Sequence, residues 1–112
     1  MRAAAVAALL LAGCVAAPGG PRPSALSGLS LVPAADGLDV AGSGGRQIGF
    51  GRDRDGALAT AARVSGETPR AVSCGAREGR ALGDLVMVFE RGAFVGWQAG
   101  GASAGRACGL PA

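Results

Sequence analysis

The clearest alternation of large apolar side chains lies late in the sequence. Residues 85–97 read LVMVFERGAFVGW, in which two β-rich runs, Leu85–Phe89 and Ala93–Trp97, flank a short polar connection that ends in Gly92. Glycine readily adopts the positive φ that a tight hairpin turn requires, so this pattern predicts a β-hairpin. Both faces of the first run are apolar, which predicts that this strand is covered on two sides.

A helical spacing is found in residues 56–65, GALATAARVS. Asp53 or Asp55 can cap the amino end of this helix, and Gly66 is a natural stop at its carboxyl end. The predicted apolar face consists of Leu58, Ala61, Ala62 and Val64, or the stem of Arg63 in place of Val64.

Shorter apolar runs predict the remaining strands. Leu29–Val32, which Pro33 ends, is either a first strand or only an apolar anchor, whereas Leu38–Val40 and Arg46–Phe50 both follow glycines and favour strands. Residues 100–112, GGASAGRACGLPA, have the composition of a mobile tail unless Cys108 holds them. The fold class expected from these elements is α+β, with one helix packed on a small, mostly antiparallel sheet of three to five strands and a C-terminal hairpin.

The amino-terminal residues have a different character. Ten apolar residues, 3–12, follow Arg2; they are too few for a permanent transmembrane helix but have the length of a signal-peptide core. The sequence that follows, Leu11-Ala12-Gly13-Cys14, resembles the lipobox of bacterial lipoproteins. The alternative is an ordinary secretory signal cut near residues 16–17.

The lipobox resemblance implies a processing pathway and a location. Cys14 would be alkylated with a diacylglyceryl group, the bond before it cut, and the new amine acylated. Val15 occupies the position at which inner-membrane retention signals carry Asp, so the resemblance implies the periplasmic face of the outer membrane. The organisation expected is a signal peptide at 1–13, the lipidated cysteine and a tether at 14–28, and a domain at 29–112. Three prolines within the tether exclude a helix there.

With Cys14 assigned to lipidation, Cys74 and Cys108 are the cysteines that remain. In an oxidising compartment such a pair predicts a disulfide. The rival interpretation is a free reactive thiol, but the chain contains no histidine that could activate one.

Charge and composition exclude several functions. The net charge is +3 and all eleven basic residues are arginine, but they are scattered among eight acidic residues and only four aromatic residues are present. Nucleic-acid binding therefore has little support. The glycine-rich residues 42–51 lack both G-x-G-x-x-G and G-K-[ST], so nucleotide binding is not predicted. Without histidine, no Ser–His or Cys–His catalytic arrangement can be assembled, and two cysteines with scattered acidic residues make no zinc site. We therefore expect no enzyme activity, metal or cofactor.

A second resemblance covers residues 46–97. Ile48-Gly49-Phe50-Gly51 before the helix, Gly66-Glu67-Thr68-Pro69 after it, and Phe89-Glu90-Arg91-Gly92 at the hairpin are similar to SmpA/OmlA-type small outer-membrane lipoproteins and to β-lactamase-inhibitor-like domains. Arg52-Asp53 stands where that family has Met-Thr. The resemblance implies a module that binds or scaffolds and does not catalyse.

The function expected from the sequence is that of a membrane-anchored periplasmic lipoprotein that binds another envelope protein. The alternative is an exported, inhibitor-like protein that binds a soluble enzyme. The candidate contact surface is the exposed side of the hairpin with Phe94 and Trp97, because aromatic residues and arginine dominate interface hot spots. Trp97 could instead fill the core. The candidate polar contacts are Arg46, Arg52, Arg54 and Arg91.

Overall fold

The computed structural model describes residues 28–109 of the chain, and these contain eight strands and one helix. The elements are β1 Ser30–Ala34, β2 Gly37–Ala41, β3 Gln47–Gly49, α1 Arg54–Ser65, β4 Arg70–Val72, β5 Glu78–Leu82, β6 Leu85–Glu90, β7 Ala93–Ala99 and β8 Ala102–Gly105. The strands form two antiparallel sheets, β1-β2-β3 and β4-β5-β6-β7-β8, each in chain order. The predicted α+β class is confirmed, while the strands outnumber the three to five that were expected.

The predicted hairpin is formed by β6 and β7. Glu90 pairs with Ala93, which leaves Arg91 and Gly92 as a two-residue turn. Both turn residues have positive φ, 54° and 77°. Positive φ at both central positions is the signature of a type I′ turn, whose twist matches that of the flanking strands.

The three-stranded sheet begins one residue after the expected start and continues past a proline. Pro33 does not end β1 but pairs with Leu38 inside it. This is tolerated because β1 is an edge strand, where a missing backbone N–H need not interrupt the ladder. Strands β2 and β3 lie within the regions where strands were predicted.

The helix is bounded by the predicted residues. The Asp53 carboxylate accepts a hydrogen bond from the Gly56 backbone N–H at 2.8 Å, and Gly66 ends the helix in the left-handed conformation. The buried positions are Ala57, Ala61 and Val64, spaced by four and three residues. Ala57 thus belongs to the apolar face although it was absent from the predicted set.

The main core lies between the helix and the inner faces of the two sheets. Trp97 ties the sheets together, because its Nε1–H donates to the carbonyl oxygen of Ala34 in β1 at 2.7 Å. The buried members of this core are Leu38, Val40, Ile48, Ala57, Ala61, Val64, Leu82, Met87, Phe89, Phe94 and Trp97.

The opposite face of the five-stranded sheet is covered by chain segments that follow its two edge strands. Val88 is fully buried on this face, and its cross-strand neighbours are Gly79 and Gly96. A Cβ at Gly79 would lie 2.9 Å from the Cys74 Cβ, and one at Gly96 would overlap the Arg106 backbone. The first hairpin strand is therefore covered on both faces, as predicted.

The two covering segments are joined to each other. The sulfur atoms of Cys74 and Cys108 lie at disulfide distance, with their Cα atoms 4.4 Å apart. The nearby Arg77 side chain is buried and donates to the Ala107 carbonyl oxygen at 3.3 Å. Cys108 holds residues 100–109 in place, as expected, and this segment also contains strand β8, which was not predicted.

Candidate binding cleft

The residues predicted to contact a partner differ in whether they are buried or exposed. Phe94 is fully buried and Trp97 is 6% exposed, because both belong to the main core. The prediction that these aromatic side chains form an exposed contact surface is therefore wrong, and the core alternative for Trp97 is confirmed. Arg91 is exposed at the hairpin turn.

Arg54 is neutralised locally. Its guanidinium lies 3.2 Å from the Glu78 carboxylate and 3.0 Å from that of Asp55. Hydrogen bonds to Glu78 and then to Asp55 raise the pKa of Arg54 above its ordinary value. Its charge is thus permanent but already matched by two neighbouring carboxylates, which makes it a poor anchor for an anionic ligand.

A concave surface lies between α1 and the β2–β3 side of the small sheet, and we call it the cationic cleft. Its volume is about 580 Å³, within the usual range of ligand sites. Buried side chains of Val40, Ile48 and Val64 line it along with polar and charged residues. The lining consists of Leu29, Val40, Ser43, Arg46, Gln47, Ile48, Arg52, Thr60, Arg63 and Val64.

The charge of the cleft is one-sided. Arg46, Arg52 and Arg63 line it, whereas no aspartate or glutamate does. Among the described residues, none of these three guanidinium groups lies within 4.0 Å of a carboxylate. The arginines that do form ion pairs lie elsewhere and are Arg54, Arg77, Arg80 and Arg106.

Two of the cleft arginines are held by hydroxyl groups. Arg52 donates from Nη2 to the Thr60 hydroxyl on α1 at 3.1 Å. The backbone N–H of Arg46 donates to the Ser43 hydroxyl at 3.0 Å. Because a hydroxyl that accepts one hydrogen bond can still donate its own proton, Thr60 adds a neutral donor beside Arg52.

Among the lining residues, only the side-chain amide of Gln47 bonds to carboxylates within the described chain. Gln47 donates from Nε2 to Asp36 at 2.7 Å and to Asp39 at 2.9 Å. Within residues 28–109, no other lining residue donates a hydrogen bond to a carboxylate. Guanidinium groups bind carboxylates and phosphates through paired N–H donors, so this arrangement is suited to an anion.

A second depression adjoins the cleft, and we call it the apolar groove. It has a volume of about 410 Å³ and shares Leu29 and Val64 with the cationic cleft. Its lining consists of Leu29, Ser30, Leu31, Pro33, Val64, Ser65, Leu82, Asp84, Leu85 and Ala99. A charged compartment and a mostly apolar one thus meet at two shared side chains.

Sequence reasoning found only part of this site. Arg46 and Arg52 were named as polar contacts, but Ser43, Thr60 and Arg63 were not. The lining comes from the chain before β1, from β2 and β3 with their connection, from the β3–α1 connection at Arg52, and from α1. Such a set forms no motif, and only the fold brings its members together.

The predicted lipidation site, Cys14 of the lipobox, and residues 15–27 of the tether lie outside the described residues. Within residues 28–109, no three histidine, cysteine, aspartate or glutamate side chains cluster as they would to hold a metal ion. The same part of the chain has no helix with the length and apolar character needed to cross a membrane.

Comparison with known proteins adds no relative: no family model, curated protein or solved structure matches this chain.

Proposed function

We propose that the protein is a lipid-anchored, non-catalytic binding module on the periplasmic face of the outer membrane. The observation that carries this proposal is the pairing of Cys74 with Cys108 at disulfide distance. Disulfides persist in oxidising compartments, so the pair favours export. It also accounts for two of the three cysteines, which leaves Cys14 of the LAGC sequence for lipid attachment.

The spacing between Cys14 and the folded domain suits a tether. The first strand begins at Ser30, and residues 15–28 can span at most about 50 Å when extended and about 20 Å when relaxed. Two or more acyl chains are sufficient for stable membrane attachment. The domain would therefore remain close to the membrane surface while it contacts other components.

The absence of histidine from the sequence favours binding over catalysis, because general acid–base chemistry then depends on carboxylates tuned by burial. The partner we propose is another envelope protein. The second candidate from the sequence is a soluble enzyme bound by an exported inhibitor-like protein.

Membrane fractionation of a Cys14→Ser variant tests the anchor. We expect the wild-type protein in the outer-membrane fraction and Cys14→Ser to lose acylation. A Val15→Asp variant should move to the inner membrane without losing its acyl chains. A Cys74→Ala/Cys108→Ala variant is the matched control and should remain acylated. Acylation of the Cys14→Ser protein, or wild-type protein without acyl chains, would refute the proposal.

Crosslinking in the native envelope identifies the partner. A photoreactive residue at Arg91, which is exposed at the hairpin turn, samples the surface without disturbing the core. Capture of a membrane-assembly or cell-wall component would support a module that binds envelope proteins. Capture of a soluble hydrolase would instead support the exported, inhibitor-like protein.

A further inference from the structure

We propose that the cationic cleft and the apolar groove form one binding site for a phosphorylated amphiphile. The phosphate would lie among Arg46, Arg52 and Arg63, and the hydrocarbon would occupy the groove beyond Leu29 and Val64. This ligand site is separate from the covalent anchor at Cys14, and it does not depend on the function proposed above.

The phosphate is favoured by the number and freedom of the cationic groups. Three arginines line one cleft, and within the described chain none of them forms an ion pair. A single carboxylate offers two oxygen atoms, whereas a terminal phosphate offers three and can accept from several arginines at once. Thr60, which already orients Arg52, supplies a further hydroxyl donor.

The hydrocarbon is favoured by the apolar groove that adjoins the cleft at Leu29 and Val64. Its apolar lining includes Leu31, Leu82 and Leu85, and the two compartments share Leu29 and Val64. Each methylene group buried from water strengthens binding by about fourfold. A ligand that joins an anionic head to a short hydrocarbon would therefore use both compartments, whereas a free anion would use only one.

The charges also orient the ligand. Asp84 is the acidic residue that lines the groove, while the cleft is lined by three arginines and no acid. An anionic head is thus repelled from the groove and attracted to the cleft. A peptide with one acidic side chain would match the cleft but would leave most of the groove unused.

Solution binding measurements separate the head from the tail. The Cys14→Ser full-length chain, which carries no acyl chains of its own, is titrated with dihexanoyl phosphatidic acid below its micellar concentration. Glycerol 3-phosphate supplies the same phosphate without tails. Dihexanoyl phosphatidylcholine supplies the same tails with a cationic cap. We expect phosphatidic acid to bind at least about tenfold more tightly than either control ligand.

Matched variants locate the site. Arg63→Ala should weaken binding of both phosphatidic acid and glycerol 3-phosphate by about tenfold, through loss of a charge-assisted hydrogen bond. Leu31→Ser, at a residue that lines only the groove, should weaken only phosphatidic acid. Arg70→Ala removes an exposed arginine that lines neither compartment and should change neither affinity. Thermal unfolding of each variant establishes that the fold is retained.

Three results would overturn the inference. Equal affinity for phosphatidic acid and glycerol 3-phosphate would reduce the site to a simple anion site. Equal affinity for phosphatidic acid and phosphatidylcholine would show that the arginines do not select the ligand. An Arg70→Ala effect as large as that of Arg63→Ala would show that net charge, and not the cleft, attracts the ligand.

Discussion

Removing the disulfide tests how the five-stranded sheet is held together. Cys74 and Cys108 are separated by 34 residues and join segments that follow the two edge strands of this sheet. The chain-entropy relation gives about 4 kcal/mol for a loop of this length. A domain of this size has a free energy of unfolding of only about 4 to 12 kcal/mol. A Cys74→Ala/Cys108→Ala variant should therefore lose a third or more of its stability.

Part of this loss of stability is expected to come from exposure of one buried residue, Val88. Val88 lies on the sheet face that the linked segments cover, between two glycines that offer it no side-chain contacts. When the link is absent, the covering segments can separate and expose Val88 to water. We therefore expect the amide protons of β6 to exchange faster in the variant, in addition to the loss of global stability.

Urea unfolding measures the effect through the fluorescence of Trp97, which is the sole tryptophan of the chain and is buried in the main core. The wild-type protein without reductant is the reference, and Cys14→Ser is the control for removing a cysteine elsewhere. A decrease of about 3 to 4 kcal/mol in the free energy of unfolding is expected. A decrease below about 1 kcal/mol, or thiols that react with an alkylating reagent in the native protein, would refute the reasoning.

Three further substitutions test packing, capping and the link between the sheets. Gly96→Ala should lower the free energy of unfolding, measured in urea, by about 2 to 3 kcal/mol, because the new Cβ would overlap the Arg106 backbone. The control is Gly101→Ala, where a Cβ has open space. Equal effects of the two substitutions would contradict the packing. Asp53→Ala should lower the free energy of unfolding by about 1 kcal/mol, because the helix loses its cap. Asp55→Ala, at an exposed residue, should lower it by less than about 0.5 kcal/mol. The reverse order would reject the cap. Trp97→Phe should cost about 2 kcal/mol, measured by circular dichroism, because a β1 carbonyl loses its donor; an unchanged midpoint would count against this link.

The parts of the fold that sequence reasoning recovered carry strong local signals. The hairpin combines apolar alternation with a glycine turn, and the helix combines a capping aspartate at Asp53 with a stop at Gly66. The disulfide pairing followed from counting cysteines, because Cys74 and Cys108 were the two left after the lipobox. In each case a few neighbouring residues, or a simple count, contain enough information.

Strands β4, β5 and β8 could not be recovered in this way. Their sequences, RAV, EGRAL and ASAG, are short and lack a run of β-branched or aromatic residues. Each is a strand because a neighbour in the sheet supplies its backbone hydrogen bonds. Strand propensity depends on this context, so such segments resemble loops when they are taken alone.

The candidate site was harder to anticipate than the fold. Aromatic side chains favour interfaces, which made Phe94 and Trp97 candidate contact residues, but a small domain with few large side chains uses them in its core. Sequence reasoning considered Arg63 only for the stem that it could add to the apolar face of the helix. The fold places this residue on the same cleft as Arg46 and Arg52, while the carboxylates pair with other arginines.

Mass spectrometry of the mature protein purified from membranes tests the central claim most directly. The account predicts an amino terminus at Cys14 whose mass includes a diacylglyceryl group and an amide-linked acyl chain, together with a disulfide-linked peptide pair from the folded domain. A mature amino terminus beyond Cys14, or an unmodified thiol at that residue, would contradict it.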